Sequence, residues 1–289
     1  RTVGIWERPT EKFLVKLDSA CGIKSPRRHG VDVVQAINKM RKGDVDLLFC
    51  MGGNFISATP DTIATAEGIN NVKLTVQVST KLNRSHLVTG ETALILPCLG
   101  RTELDIQKSG KQFVTVENSM GIVHTSKGSL NPVSKSLRSE PWIVASIAKA
   151  ALSDSRDWMD LVGDYDNIRN LMSRALSGFE DYNQRVRSPH GFALPNPPRD
   201  SRTFMTPDSK ARFISHQLPD VSVDDEKYVM MTIRSHDQYN TTIYALHDRY
   251  RGIHGNRRII LMNAKDMADR GWKTRTRVNV TSHFEGNTR

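Results

Sequence analysis

The chain has 289 residues, 38% of them hydrophobic and 25% charged, with 41 Lys and Arg against 31 Asp and Glu for a formal charge of +10. That length and apolar share are enough to bury a core in two domains or one large one. The surplus of base suits an anionic ligand, but basic and acidic residues interleave without a run of five or six, which counts against a nucleic-acid-binding tail.

Pro9-Thr10 opens a predicted helix with Phe13, Leu14 and Leu17 on one face, stopping near Gly22. Residues 31–41 read as a second, with Val33, Val34, Ile37 and Met40 at helical spacing and Gly43 beyond. Residues 45–50 form a continuous apolar run, which predicts a strand covered on both faces, as in a parallel sheet. Pro60-Asp61 then starts a helix towards Gly68, and 73–78 is the next strand, so the βαβ order implies a Rossmann-like, doubly wound sheet. From Thr92 to His124, short strands are separated by Gly100, Gly110 and Gly121. Ser139-Glu140-Pro141-Trp142 is a helix start, a hydroxyl cap followed by Pro in the first turn, with Ile143, Ile147, Ala148 and Ala151 as the inward stripe. A further helix is expected over 166–179, carrying Ile168, Leu171, Met172, Ala175 and Phe179 at the same period. Pro189 to Pro198 is a connector that can neither stay helical nor join a sheet interior. The expected organisation is an α/β domain over 1–187, a linker over 188–225 and a second domain over 226–289.

The densest polar signal lies at 228–244, where an apolar strand empties into a loop holding Arg234, His236, Gln238, Asn240 and Thr241. Guanidinium forks match phosphate oxygens, and side-chain amides offer heterocycle edges a donor and an acceptor together. His236 taken alone is more often a plain loop histidine. Asn263 has the position of a helix cap, with Asp266 in the positive first turn. Gly52, Gly53 and Asn54 directly follow the strand at 45–50, at the end where open α/β sheets bind ligands, and glycines let backbone amides approach phosphate or ribose. The same pair also fits a tight turn with no ligand. The loop after the next strand presents Thr80, Lys81 and Asn83 at the same end, with Arg84 and His86 equally readable as solvated.

Cys21, Cys50 and Cys98 are far apart and form no Cys-x-x-Cys pair, so neither a disulfide framework nor a zinc or iron–sulfur site is expected within the chain. Cys50 and Cys98 adjoin apolar strands and read as small buried hydrophobes. Unpaired cysteines suit a reducing cytoplasm. No stretch approaches the ~18 apolar residues of a membrane span, and no signal-peptide pattern opens the chain. It begins on Arg1 and stops just after a strand, and is read as a piece of a longer polypeptide.

The strand and loop at 228–244, followed by 257–266, resemble the cofactor-binding barrel of the molybdopterin oxidoreductases, the dimethyl sulfoxide reductase and formate dehydrogenase superfamily. Residues 45–55 with Pro60-Asp61, the strand at 92–97, and the segments 80–86 and 114–119 resemble the preceding domain of that family, nearest the formate dehydrogenase alpha-subunit-like subgroup. The resemblance implies a Rossmann-like domain followed by part of a double-psi-like β-barrel, and molybdenum bis-molybdopterin guanine dinucleotide as cofactor. Its binding residues would be Gly52, Gly53, Asn54, Thr80, Lys81, Asn83, Arg234, His236, Gln238, Asn240, Thr241 and Asn263. It places the metal ligand, the catalytic residues and an iron–sulfur cluster in an N-terminal region outside this chain. The implied substrate is formate or another small oxyanion, with the electron partner unidentified. One departure is Lys273-Thr-Arg-Thr-Arg277, where such barrels carry a Gly-Asp turn. Two other readings stay open on the residues alone: a non-catalytic binding or stress-related module of the same fold, and a basic nucleotide- or nucleic-acid-binding protein.

Overall fold

The computed structural model describes residues 9–152, 156–224, 226–234, 236, 238–239, 243–284 and 287–288. The chain divides into two units, one ending at Tyr228 and the other starting at Val229. In the first, Thr10 caps α1 (Glu11–Cys21) by accepting the Phe13 N–H, and Gly22 in the left-handed region ends it. Asp32 caps α2 (Val33–Arg41) in the same way. Next come β1 (Leu47–Met51), α3 (Phe55–Ala58), α4 (Thr62–Asn70, capped by Asp61) and β2 (Leu74–Ser79). After a 3-10 turn at Arg84–Leu87, β3 (Thr92–Pro97) completes a parallel sheet of order β1-β2-β3, with Leu47 opposite Leu74 and Leu74 opposite Thr92. The mixed α/β class with a parallel sheet, as read from the βαβ order, is present.

The apolar run at 45–50 does not mark a strand covered on both faces. Leu48 packs with Ile37, Met40 and Val72, but Leu47, Phe49 and Met51 alternate with it and are exposed, as are Leu94 and Ile95 on β3. Only the central β2 is buried along its length. Apolar content reports what a strand is able to bury, whereas coverage depends on what the rest of the chain lays over it.

Two antiparallel pieces follow, the hairpin β4 (Ile106–Gln107) with β5 (Gly110–Lys111), and β6 (Val114–Glu117) with β7 (Ile122–Ser126). The helices are α5 (Glu140–Ala151), α6 (Trp158–Gly163), α7 (Tyr165–Ala175) and α8 (Tyr182–Val186). Ser139 caps α5 by accepting the Trp142 N–H. The inward stripe of α5 differs from expectation: Ile143 meets Val78 and Cys98 on the sheet, Ala145 meets Val162 and Tyr165, and Ile147 is exposed. The helix is covered from two sides, so a single 3.6-residue stripe does not describe it. The helix expected over 166–179 is shorter, yet Phe179 stays buried in a cluster with Tyr182 and Phe192 whose rings meet edge to face. Phe192 lies in the stretch expected to be a free linker. Instead β8 (Phe192–Ala193) pairs with the edge of β7, and α9 (Pro197–Ser201) begins on Pro197, where a helix tolerates proline.

Two buried polar groups tie these layers together. The Tyr165 hydroxyl donates to Asp105 at 2.5 Å and lies 2.6 Å from Ser139 Oγ, while the Tyr165 N–H donates to Gln112 Oε1 at 2.9 Å. Burial raises the phenol's pKa, with the Asp105 carboxylate adding to the effect. Arg169, 4% exposed, donates to the Phe113 carbonyl, to Asn183 and to Asp166, with its guanidinium over the Phe113 ring at 4.0 Å. Burial pushes the Asp166 carboxyl up, but donation from Arg187 and Arg169 outweighs it and leaves the pKa below the ordinary 3.8.

The second unit contains the hairpin β9 (Gln238–Tyr239) with β10 (Ile243–Tyr244), the helix α10 (Ala264–Asp269), and the hairpin β11 (His283–Phe284) with β12 (Asn287–Thr288). The apolar stretch expected as a strand near 228–233 stands outside any ladder, as do the strand-like stretches 257–262 and 278–281, with Met231, Ile233, Leu261 and Val280 exposed. A barrel closes only when every strand has a neighbour on each side, and the described residues do not make one. No helix among them is long and apolar enough to cross a membrane.

A Cβ added at Gly90 would stand 2.0 Å from the Val72 carbonyl oxygen, which accepts the Glu91 N–H that leads into β3. Because backbone rather than a yielding side chain is struck, Gly90→Ala should cost about 3 kcal/mol and lower the thermal midpoint by roughly 6–12 °C, read by circular dichroism. Asp166 has a depressed folded pKa, so its stabilisation is full above 3.8 and is lost as pH falls through the lower folded value. Asp166→Asn should therefore lower the denaturation midpoint at pH 7 and flatten the loss of stability below about pH 4; an unchanged acid limb would show that the ion pairs contribute nothing.

Candidate functional site

At the C-terminal end of the parallel sheet, the Gly52 N–H donates to the Val78 carbonyl at 2.8 Å, carrying the β1 ladder one residue past the strand. The chain then turns through Gly52 at φ 65° and Gly53 at φ 72°, a region that L side chains rarely occupy. A Cβ on Gly53 would meet nothing within 4 Å, and one on Gly52 would meet only the Glu140 carboxylate at 3.9 Å. The glycines are thus required by backbone conformation, and the surface above them is open. Glu140 borders this loop on one side, a neighbour that distance along the sequence concealed.

Hydrogen bonds join this loop to the one after β2. Asn83 Nδ2 donates to the Gly53 carbonyl at 2.7 Å, and Asn83 Oδ1 accepts the Ser85 N–H at 2.9 Å. The Asn83 amide therefore ties the two loops through Nδ2 and caps the turn at Arg84–Leu87 through Oδ1, so the structure places this candidate inward. His86 Nδ1 lies 3.0 Å from the Asn83 backbone nitrogen and 3.2 Å from the Asn83 carbonyl oxygen, and His86 Nε2 is a buried atom with no partner among the described residues. Gln77, buried in β2, donates to the Ser85 carbonyl at 2.7 Å. Thr80 and Lys81 are exposed on the rim, with the Lys81 carbonyl accepting from Ser79 Oγ at 3.1 Å. Gly52, Gly53, Asn54, Thr80 and Lys81 are thus brought to one end of the sheet. The Gly53 backbone amide, a side-chain amide, a hydroxyl and an ammonium form a donor-rich set suited to phosphate oxygens and heterocycle edges. The open glycine turn and the orphaned His86 Nε2 fit such a ligand. Sequence reasoning did not single out Ser85 or Gln77, although a glutamine between two strand valines is a signal that something must satisfy it.

In the second unit, Arg234 is exposed. The His236 ring lies 4.3 Å from that of Tyr250, and its Nδ1 is 3.2 Å from Arg251 Nη1 and 3.6 Å from the Asp248 carboxylate. Asp248 is buried and accepts from Arg251 at 2.7 Å as well as from the N–H groups of Tyr250 and Arg251. Burial raises its pKa, but donation from the Arg251 side chain and from the Arg251 and His236 backbone outweighs that and holds the carboxyl below its ordinary range. His236 is accordingly engaged by its own unit, while Arg257 donates to its carbonyl at 3.3 Å. Gln238 pairs with Tyr244 in the β9–β10 hairpin. Asn240 and Thr241 lie outside the described residues. Asn263 caps α10, its Oδ1 accepting the Lys265 N–H at 2.8 Å.

Cys98 is buried against Val78 and Ile143, and burial, aided by the charges of Glu140 and Glu103, pushes its thiol up to about 11. Burial also raises Cys50. Among the described residues, no three His, Cys, Asp or Glu side chains gather where they could hold a metal ion.

Residues 228–287 match the molydopterin dinucleotide binding domain family. The chain is 50% identical over 286 residues to an uncharacterized oxidoreductase of Mycobacterium tuberculosis (strain ATCC 25618 / H37Rv), covering 98% of this chain and 37% of the relative. It is 47% identical over 284 residues to Protein YdeP of Escherichia coli (strain K12), and 48% identical over 284 residues to Protein YdeP of Shigella flexneri; each match covers 97% of this chain and 37% of the relative. The chain thus spans well under half the length of these curated relatives. Together the domain match and the oxidoreductase relatives support a place in the molybdopterin oxidoreductase superfamily.

Proposed function

We propose that this chain is the dinucleotide-binding part of a formate dehydrogenase-like oxidoreductase that carries molybdenum bis-molybdopterin guanine dinucleotide. The observation that carries this reading is the match of residues 228–287 to the molydopterin dinucleotide binding domain, in a chain otherwise similar to proteins named as oxidoreductases. When bound, the cofactor supplies a metal centre able to exchange two electrons with a small oxyanion such as formate. The residues of this chain bind and orient it. At the sheet end, the Gly53 amide, the Asn54 amide, the Thr80 hydroxyl and the Lys81 ammonium offer donors to phosphate and ribose oxygens, while Gly52, whose N–H is held by the Val78 carbonyl, lets the backbone turn beside the ligand. In the second unit, Arg234 offers a guanidinium fork to pyrophosphate, with Gln238, Asn240 and Thr241 proposed beside it. Asn263 combines its capping role with a place near the guanine. The second unit is proposed to belong to a double-psi-like barrel in the whole protein, with the metal ligand and an iron–sulfur cluster in the part of the relatives' length that this chain does not span. A cytoplasmic location accords with unpaired cysteines.

The test is made on the polypeptide expressed from its full reading frame. Arg234→Ala should weaken cofactor binding by roughly ten- to a hundredfold, the worth of a charged hydrogen bond. Molybdenum per protein, measured by plasma mass spectrometry after desalting, should then fall well below the parent's. Full molybdenum retention would remove Arg234 from the cofactor site.

A further inference from the structure

Ser85 is buried at 6% exposure, and each of its polar groups has a partner. Its N–H donates to Asn83 Oδ1 at 2.9 Å and its carbonyl accepts from Gln77 Nε2 at 2.7 Å. Its Oγ accepts the Ile56 N–H at 3.1 Å and lies 3.0 Å from Asn54 Oδ1. The hydroxyl has one proton, and with Oγ already accepting from Ile56, the Asn54 carbonyl oxygen is the acceptor within reach for it. Turning the Asn54 amide over would leave that buried proton without a partner, at a cost of about 1–3 kcal/mol. The orientation of Asn54 is therefore set from behind: Oδ1 is tied to Ser85, and Nδ2 makes no hydrogen bond among the described residues. An asparagine that could offer either polarity is reduced to a donor.

We infer that Ser85 is a positioning residue that fixes Asn54 as a hydrogen-bond donor, so that the ligand at this sheet end must present an acceptor atom to Asn54 Nδ2. The inference rests on the proposed cofactor reading and sharpens it: a phosphate oxygen or an unprotonated ring or carbonyl edge is admitted there, and a donor group is refused. Neither Ser85 nor this polarity follows from the glycine turn alone.

The experiment uses the full-length protein purified with its cofactor, and measures guanosine monophosphate and oxidised pterin released per protein after desalting and denaturation. Asn54→Asp keeps the oxygen that accepts from Ser85 and replaces the NH2 by a negatively charged acceptor, so the donor is lost and a charge is added; the neutral Asn54→Ala, which loses the donor without the charge, separates the two effects. Asn54→Asp should lower retained cofactor about tenfold or more. Ser85→Ala should lower it similarly in the parent, but not further in an Asn54→Ala background, because its effect runs through Asn54. Additive losses in that cycle would overturn the positioning role, as would undiminished retention in Ser85→Ala. Undiminished retention in Asn54→Asp would overturn the donor assignment while leaving the cofactor reading intact. A parent protein that releases neither pterin nor guanosine monophosphate would overturn the cofactor reading itself, and this inference with it.

Discussion

A strand buried on both faces must find partners for every polar side chain it carries, and β2 carries three. Thr75 Oγ1 donates to the Thr92 carbonyl and accepts the Gly90 N–H, fastening β3 and the turn before it. Gln77 reaches the Ser85 carbonyl and Ser79 reaches that of Lys81. Each unsatisfied group would cost about 1–3 kcal/mol, so the chain beyond the strand is drawn back over the sheet to supply acceptors. The shape of the loop at 80–86 is therefore a product of core satisfaction, and the Gly52–Asn54 turn takes its position from that loop in turn.

The helical layer obeys the same rule with different residues. Tyr165 couples the cap of α5 to the β4–β5 hairpin through Asp105, and Arg169 couples α7 to Phe113, Asn183 and Asp166. These groups hold the helices in place. Within the second unit, Asp248 has a similar organising role on a smaller scale, gathering Arg251 and its turn's N–H groups and leaving His236 stacked on Tyr250.

What could be read from the sequence was what is decided within a few residues. The Thr10 and Ser139 caps, the Gly22 stop, the parallel βαβ order and the glycine turn after β1 depend on local hydrogen bonds and φ preferences, and each is found where expected. What could not be read depends on partners far along the chain. Asn83 is indistinguishable in sequence from an outward ligand group, and its inward role appears only when Gly53 lies beside it. Phe192 sits in a proline-rich stretch, yet the rings of Phe179 and Tyr182 draw it into the core. The strands near 228–233 and 278–281 have the right composition, but a ladder needs neighbours that composition does not specify. His236 looked free because Asp248 and Tyr250 are more than ten residues away.

Leu47, Phe49 and Met51 form an outward row on a strand whose far edge is unpaired among the described residues. An open apolar edge of this kind is a template on which strands of other molecules can add, the usual beginning of aggregation. The net charge of +10 opposes that encounter, because like-charged molecules repel before their edges meet. Salt shortens the reach of the repulsion to about 10 Å at 0.1 M. The solubility of this chain by itself is then governed by ionic strength, falling as salt is added, and light scattering along a salt series would register it.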